Sequence, residues 1–343
     1  MFDSSNTISS AEAEPPLFAG IDLGGTNTKV GLVDNLGRTL AYVKVPTAIE
    51  EGPEAGAARM GQGVKTAAAE AGVTVAEIAR VGLATPGTMD LSNGMLLDPV
   101  NLPGWHNFPI RDRVAHHTDR PVSYANDAAA AAFGEFWVGS GRQYDSMVLL
   151  TLGTGIGGGI IIGDLALNGE TSHGAECGHI IIDCRDDARI CSCDQPGHLE
   201  AYASATAVVA RTEEALAAGR PSSLSERRAA GEELTTLMLA EEAERGDELS
   251  LEVILETARY LGIGIVTLLH TIDPGAVLLG GAMTFGRHDN EIGRQFLARV
   301  KEEVRHRAFP VVVRHVTIDF AALGGDAGYI GAAGIARLAH QQH

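Results

Sequence analysis

At 343 residues the chain is longer than one hydrophobic core usually serves, so two domains are expected. Hydrophobic residues make up 45%, ordinary for a globular protein, while a formal net charge of -18 disfavours phosphate backbones and anionic lipid. No apolar run approaches the ~18–20 residues of a spanning helix and the acidic N-terminus (Asp3, Glu12, Glu14) has no signal-peptide core, so a cytoplasmic protein with neither nucleic acid nor membrane as partner is expected.

Residues 1–16 lack periodicity, end in Pro15-Pro16 and read as a disordered tail. An apolar strand, 17–23, then meets Gly24-Gly25-Thr26, and runs at 30–33 and 40–45 form two further strands. The alanine-rich segment 54–71 reads as a helix ending at Gly72. Strand 79–84, the turn Pro86-Gly87 and strand 121–125 lead to Asn126-Asp127 and a helix over 128–137. The pattern then restarts. Strand 147–152 meets Gly153-Thr154-Gly155 and pairs with 160–162, so Ile-Asp-Leu-Gly-Gly-Thr (21–26) has a counterpart in Leu-Thr-Leu-Gly-Thr-Gly (150–155). Long helices are expected at 199–218 and 251–270, the second stopped by Asp273-Pro274. The stretch 219–250 is polar and weakly patterned. Strand 276–279 into Gly280-Gly281, helix 290–307, strand 311–318 and a last helix over 328–340 complete the chain. Strands alternating with helices predict an α/β fold. The repeated opening suggests two related lobes, although two unrelated Gly-rich hairpins would read the same.

Gly153-Thr154-Gly155-Ile156-Gly157-Gly158 matches the G-x-G-x-x-G dinucleotide fingerprint literally. It runs on into Gly159 and a β-branched stretch, a strand where the fingerprint needs a helix. No P-loop motif is present. The chain is left with a pair of hairpin turns whose backbone N–H groups can face an anion. Asp22, just before the first turn, suits a hydrated magnesium ion that bridges phosphates; its plain alternative is a turn-capping aspartate.

The four cysteines (Cys177, Cys184, Cys191 and Cys193) cluster with histidines, which argues for metal rather than disulfides or inert buried thiols. Cys191, Cys193, His179 and His198 offer two thiolates and two imidazoles, enough to close a tetrahedral zinc site. Four protein ligands leave no open position, so such a zinc would be structural. Glu176 and Glu200 lie just outside the set; a glycosidase pair of acids is open to them, but it would leave the glycine turns unexplained.

Together these segments resemble the ROK-type sugar kinases, especially bacterial glucokinases. The resemblance covers most of 17–335. It rests on Asp-Leu-Gly-Gly-Thr (22–26), Pro86-Gly87, Asn101-Leu102 with Gly104-Trp105, and Asn126-Asp127-Ala128. It continues through Leu-Gly-Thr-Gly-Ile-Gly-Gly-Gly (152–159), Glu176-x-Gly-His179, Cys191-x-Cys193, Leu-Gly-Gly (279–281) and Gly-Asp-Ala-Gly (325–328). It implies a duplicated, two-lobed actin-like (ribonuclease H-like) ATPase fold. The smaller lobe would be 17–126 plus 328–343, the larger 127–327, with the active site in the cleft between them.

The resemblance also implies roles. Asp127 would take the proton from the sugar 6-hydroxyl. Gly87, Asn101, Asn126, Glu176, His179 and Glu200 would line the sugar site, with His179 touching sugar through one ring nitrogen and zinc through the other. Gly24, Gly25, Thr26 and Asn27 from one lobe, and Thr154 and Gly155 from the other, would face the phosphates of ATP with Mg2+. Gly280 and Gly281 would lie along the adenosine. A dimer or tetramer is expected. Two departures stand out. The family usually has cysteine where this chain has His198, and glycine where it has Asp194. Cys184 is the competing zinc ligand to His198. By itself Asn126-Asp127 at a helix start is commoner as a cap than as a base. A mannose or N-acetyl amino-sugar kinase, polyphosphate as donor, and a sugar-sensing regulator are the alternatives. The last would need a helix-turn-helix, and only about 16 polar residues precede the first strand.

Overall fold

The computed structural model describes residues 7–99 and 101–342. Its strands are β1 Leu17–Leu23, β2 Asn27–Val33, β3 Thr39–Pro46, β4 Ile78–Thr85, β5 Thr88–Asp90, β6 Met95–Asp98, β7 Val122–Asn126, β8 Ser146–Leu152, β9 Ile156–Ile162, β10 Leu165–Ala166, β11 Ala276–Gly281 and β12 Thr317–Phe320. Its helices are α1 Gly52–Glu70, α2 Ile110–Thr118, α3 Asp127–Trp137, α4 Glu200–Ala203, α5 Ala205–Ala217, α6 Leu224–Ala229, α7 Thr236–Glu244, α8 Glu248–Ile272, α9 Glu291–Arg307, α10 Pro310–His315 and α11 Ala327–Gln341.

Two five-stranded sheets carry the fold, in the orders β3-β2-β1-β4-β7 and β10-β9-β8-β11-β12. Each therefore places its third, second, first, fourth and fifth strands side by side. In the first sheet β1 is antiparallel to β2 and parallel to β4, which is parallel to β7. In the second, β10 and β9 are antiparallel while β8, β11 and β12 run parallel. The duplication suggested by the repeated openings, and the actin-like α/β fold implied by the resemblance, are thus present as two sheets of one topology.

Contacts divide the chain into two units. The first is Met1–Tyr144 with Gly159–Ala175 and Ala322–His343; the second is Asp145–Gly158 with Glu176–Ala321. The first unit thus takes in α3 and residues 159–175, which the sequence assigned to the larger lobe. In the first unit β1 is buried except at Asp22. At Gly20 and Gly82 its sheet meets the backbone of α11 directly. A Cβ on Gly20 would lie 1.8 Å from the Tyr329 carbonyl oxygen and one on Gly82 1.8 Å from that of Ala332. Trp105, fully buried, fills the space that Gly56 of α1 leaves and donates from Nε1 to the Ile49 carbonyl at 3.2 Å.

Four sequence expectations are corrected. Residues 7–16 are tied down rather than disordered. The Ile8 N–H donates to Thr39 O at 2.9 Å, and Glu14 N donates to Asp34 Oδ2 at 3.1 Å. Residues 1–6 lie outside the described residues. The helix expected over 199–218 is broken at Ser204, whose extended backbone ends α4 while its hydroxyl caps α5 by accepting from Ala207 N at 3.1 Å. The valines of 311–313 form α10, not a strand. Pro310 at its first position is preset for a helix and outweighs their β-branched preference. Finally, α8 is long and apolar enough to cross a membrane by length and composition. Its apolar positions are instead buried against α5, α7 and α9, as in a core helix of the second unit.

Candidate active site and metal centre

In the first unit the β1–β2 turn is fastened from outside itself. Gly24 N donates to Asn27 O at 3.1 Å, closing the turn. The buried Thr47 then donates from Oγ1 to Gly24 O at 2.6 Å and from its backbone N–H to Thr26 O at 3.0 Å. Among the described residues the amides of Gly25 and Thr26 find no acceptor, so they are held ready as donors for an anion. Asp22 is the penultimate residue of β1, just before the turn. Register puts Lys29 opposite it, and the ammonium lies 3.5 Å from Asp22 Oδ2 while donating to Gly325 O at 2.6 Å. Burial raises the Asp22 pKa, with Lys29 opposing. Gly25 also approaches Asn101, whose carbonyl oxygen would be 3.4 Å from a Cβ there. Gly87 holds a left-handed φ of 91° against Pro99.

The sequence left open whether Asn126-Asp127 was a cap. Asn126 is the N-cap, its Oδ1 accepting from Ala128 N at 2.9 Å and Ala129 N at 3.2 Å. That leaves its amide nitrogen as the part able to donate to a ligand. Asp127 is the first residue of α3, with Oδ1 2.8 Å from Ala128 N. Its carboxylate sits at a helix N-terminus, where the macrodipole favours negative charge. It is only half-buried, so a ligand can reach it.

In the second unit the β8–β9 turn repeats the design with different fasteners. Gly153 N donates to Gly155 O at 3.0 Å. The break at Ser204 frees Ala205 N to donate to Gly153 O at 2.9 Å, and Thr206 Oγ1 donates to Thr154 O at 2.9 Å. The amides of Thr154 and Gly155 again find no acceptor among the described residues. Glu200, first residue of α4, accepts from Ile156 N at 2.8 Å through Oε2 and from the Ser192 hydroxyl at 2.6 Å through Oε1. A carboxylate has about four acceptor positions, so both bonds leave room for a further donor. Gly280 and Gly281 pair with Thr151 and Leu152 of β8, which puts them beside this turn.

The metal set closes around His179, Cys191, Cys193 and His198, whose ligand atoms all lie within 4.8 Å of one another. The two imidazoles face each other through Nδ1 at 3.3 Å; Cys193 Sγ is 3.2 Å from His198 Nδ1 and Cys191 Sγ 3.7 Å from His179 Nδ1. Zinc with bonds of about 2.0–2.3 Å to nitrogen and sulfur needs tetrahedral edges of roughly 3.3–3.8 Å, close to these three separations. Burial pushes the His198 pKa down, keeping the neutral imidazole that a metal requires. Cys184 is exposed and outside the group, which favours His198 over it. Asp194 has φ 63°, the left-handed region where glycine is cheapest and aspartate is tolerated. His179 Nε2 points away from the set, 3.9 Å from Glu176 Oε2. One ring can therefore serve two partners. Glu176 itself is exposed.

Thr47, Ser192, Thr206 and Lys29 escaped the sequence reading. Each acts through a partner distant along the chain or through a common residue type, and nothing local marks it.

The sequence model described as ROK family matches residues 18–339. A glucokinase from Thermotoga maritima is 33% identical over 316 residues, covering 92% of this chain and 96% of that protein. A ROK hexokinase from Thermus thermophilus superposes with a TM-score of 0.80 at 33% identity, covering 95% of this chain and 100% of that one. A ROK family glucokinase from Streptomyces griseus, solved in complex with glucose and AMPPNP, superposes with a TM-score of 0.71 at 31% identity, covering 94% and 99%.

Proposed function

Since the chain belongs to the ROK family, we propose that it is an ATP-dependent sugar kinase whose acceptor is the 6-hydroxyl of glucose. The observation that carries this reading is the duplicated turn. Each sheet opens into a glycine turn that presents two unsatisfied backbone N–H groups, Gly25 and Thr26 in one and Thr154 and Gly155 in the other. Phosphoryl transfer depends on positioning and charge neutralisation, which two anion cradles serve and glycoside hydrolysis does not call for. Relatives named glucokinase, and a neighbour holding glucose with AMPPNP, supply the acceptor and the donor.

In this reading Asp127 accepts the proton of the attacking hydroxyl as the bond to phosphorus forms. Asn126, Glu176, His179, Glu200, Asn101 and Gly87 orient the sugar. Gly280 and Gly281 flank the adenosine, and Asn27 belongs with the phosphate turn. A magnesium ion, when bound, would neutralise phosphate charge, and Asp22 is the carboxylate available to its hydration shell. A structural zinc would hold His179 rigid, so that Nε2 and Glu176 keep a fixed aim. The protein would act in the cytoplasm as a dimer or tetramer.

A coupled ADP-release assay across glucose, mannose, N-acetylmannosamine and fructose tests the assignment. Glucose should give the highest kcat/KM. Asp127→Asn should lower kcat by about 10²–10⁴-fold, with sugar affinity kept. Near-normal turnover in that variant would remove Asp127 as the base. The second reading is an N-acetyl amino-sugar kinase. A relative from Haemophilus influenzae named N-acetylmannosamine kinase is 28% identical over 253 residues, 73% of this chain and 75% of that protein. The same panel separates the two.

A further inference from the structure

Glu200 reaches the second glycine turn through one oxygen and the metal-ligand segment through the other. Oε2 accepts the Ile156 N–H at 2.8 Å, and Oε1 accepts the Ser192 hydroxyl at 2.6 Å. Ser192 stands between Cys191 and Cys193, so whatever fixes those two sulfurs fixes its backbone. Cys191 Sγ is also 3.7 Å from Oε1. It can donate there only as a thiol; a metal-bound thiolate has no proton to give and repels the carboxylate. With the metal site filled, the Ser192 O–H is the donor that holds Oε1 in place. Gly155 completes the fit, because a Cβ there would lie 2.3 Å from Glu200 Oε2. Turn and carboxylate therefore touch with no side chain between them.

We propose that Ser192 is a positioning residue. By donating to Glu200 it keeps the carboxylate on the Ile156 amide and so fixes the neighbouring amides of Thr154 and Gly155. Filling of the metal site thereby reaches the phosphate-binding turn through the Ser192 hydroxyl, in addition to the backbone that joins His198 to Glu200. Only the last link, from turn to phosphate, rests on the kinase reading; the chain Ser192–Glu200–Ile156 does not.

The test uses the full chain as purified with metal. Hydrogen–deuterium exchange of the peptide covering 153–158 is followed in wild type, Ser192→Ala and Ser192→Thr without any ligand, beside metal content and Mg·AMPPNP titration. Ser192→Ala should keep its metal, exchange about tenfold faster at Ile156 and bind AMPPNP about tenfold more weakly, the scale of one lost hydrogen bond to a charged group. Ser192→Thr should restore both. Wild-type exchange in Ser192→Ala overturns the proposal, as does loss of metal in that variant, which would make Ser192 a part of the centre rather than a link from it. Faster exchange with no AMPPNP binding even in wild type would uphold the link and sink the nucleotide reading instead.

Discussion

The two glycine turns do the same thing by different means. The turn at 24–27 is held by its own neighbourhood, since Thr47 comes directly after β3 and ties both Gly24 and Thr26. The turn at 153–155 is held by a segment some fifty residues downstream, through Glu200, Ala205 and Thr206. Duplication kept the sheet order and the outward amides but not the fasteners. A backbone cradle constrains its own geometry tightly and leaves the supporting contacts open to replacement. In the second unit the replacement ties the turn to the segment that carries the His/Cys cluster.

Removing the metal should break the comparison most visibly. Chelation, or Cys191→Ala, should unfold the segment 176–200, since metal binding supplies about 10 kcal/mol of folding free energy in small zinc domains. Exchange should rise sharply at 153–158 and stay unchanged at 24–27. Equal protection of both turns after metal loss would mean that the second turn does not depend on the metal-ligand segment. Gly155→Ala comes next. Its Cβ meets a carboxylate held at both oxygens, so Glu200 must leave Ile156 or Ser192, and exchange should rise across 191–200 as well as in the turn. Thr47→Ala is the mirror experiment. It strips the half-buried Gly24 carbonyl of its side-chain donor and should cost about 1–3 kcal/mol by denaturant unfolding, with metal content unchanged.

The smallest effect is expected at Asp22. Burial raises its pKa in the folded chain. The native state then holds the proton more tightly than the unfolded one, and stability falls as pH rises from the ordinary aspartate range through the raised value. At neutral pH the ionised carboxylate is a cost, so Asp22→Asn should leave the melting temperature unchanged or higher while Mg·ATP-dependent turnover drops. A lower melting temperature would mean that the pair with Lys29, at 3.5 Å, outweighs the burial.

Much of this was legible from local pattern. Strand–glycine–strand openings, helix stops at Gly72 and Asp273, and the histidine and cysteine spacing all act over a few residues, where sequence and geometry correspond closely. The misreadings share one cause. The break at Ser204 exists because Ala205 N and Thr206 serve a turn that is remote in sequence, and the valines of α10 yield to Pro310. Residues 7–16 looked shapeless because their partners, Thr39 and Asp34, lie on or beside the next strands.

The chain by itself determined the two-sheet repeat, the four metal-ligand candidates and the carboxylates beside them, because hydrophobic period and ligand type are written locally. The tertiary structure decided which of Asn126 and Asp127 caps the helix, which nitrogen of His179 faces the metal set, and that Glu200 spans from turn to cysteines. Those outcomes depend on distances between atoms far apart in the chain, which no spacing along it encodes.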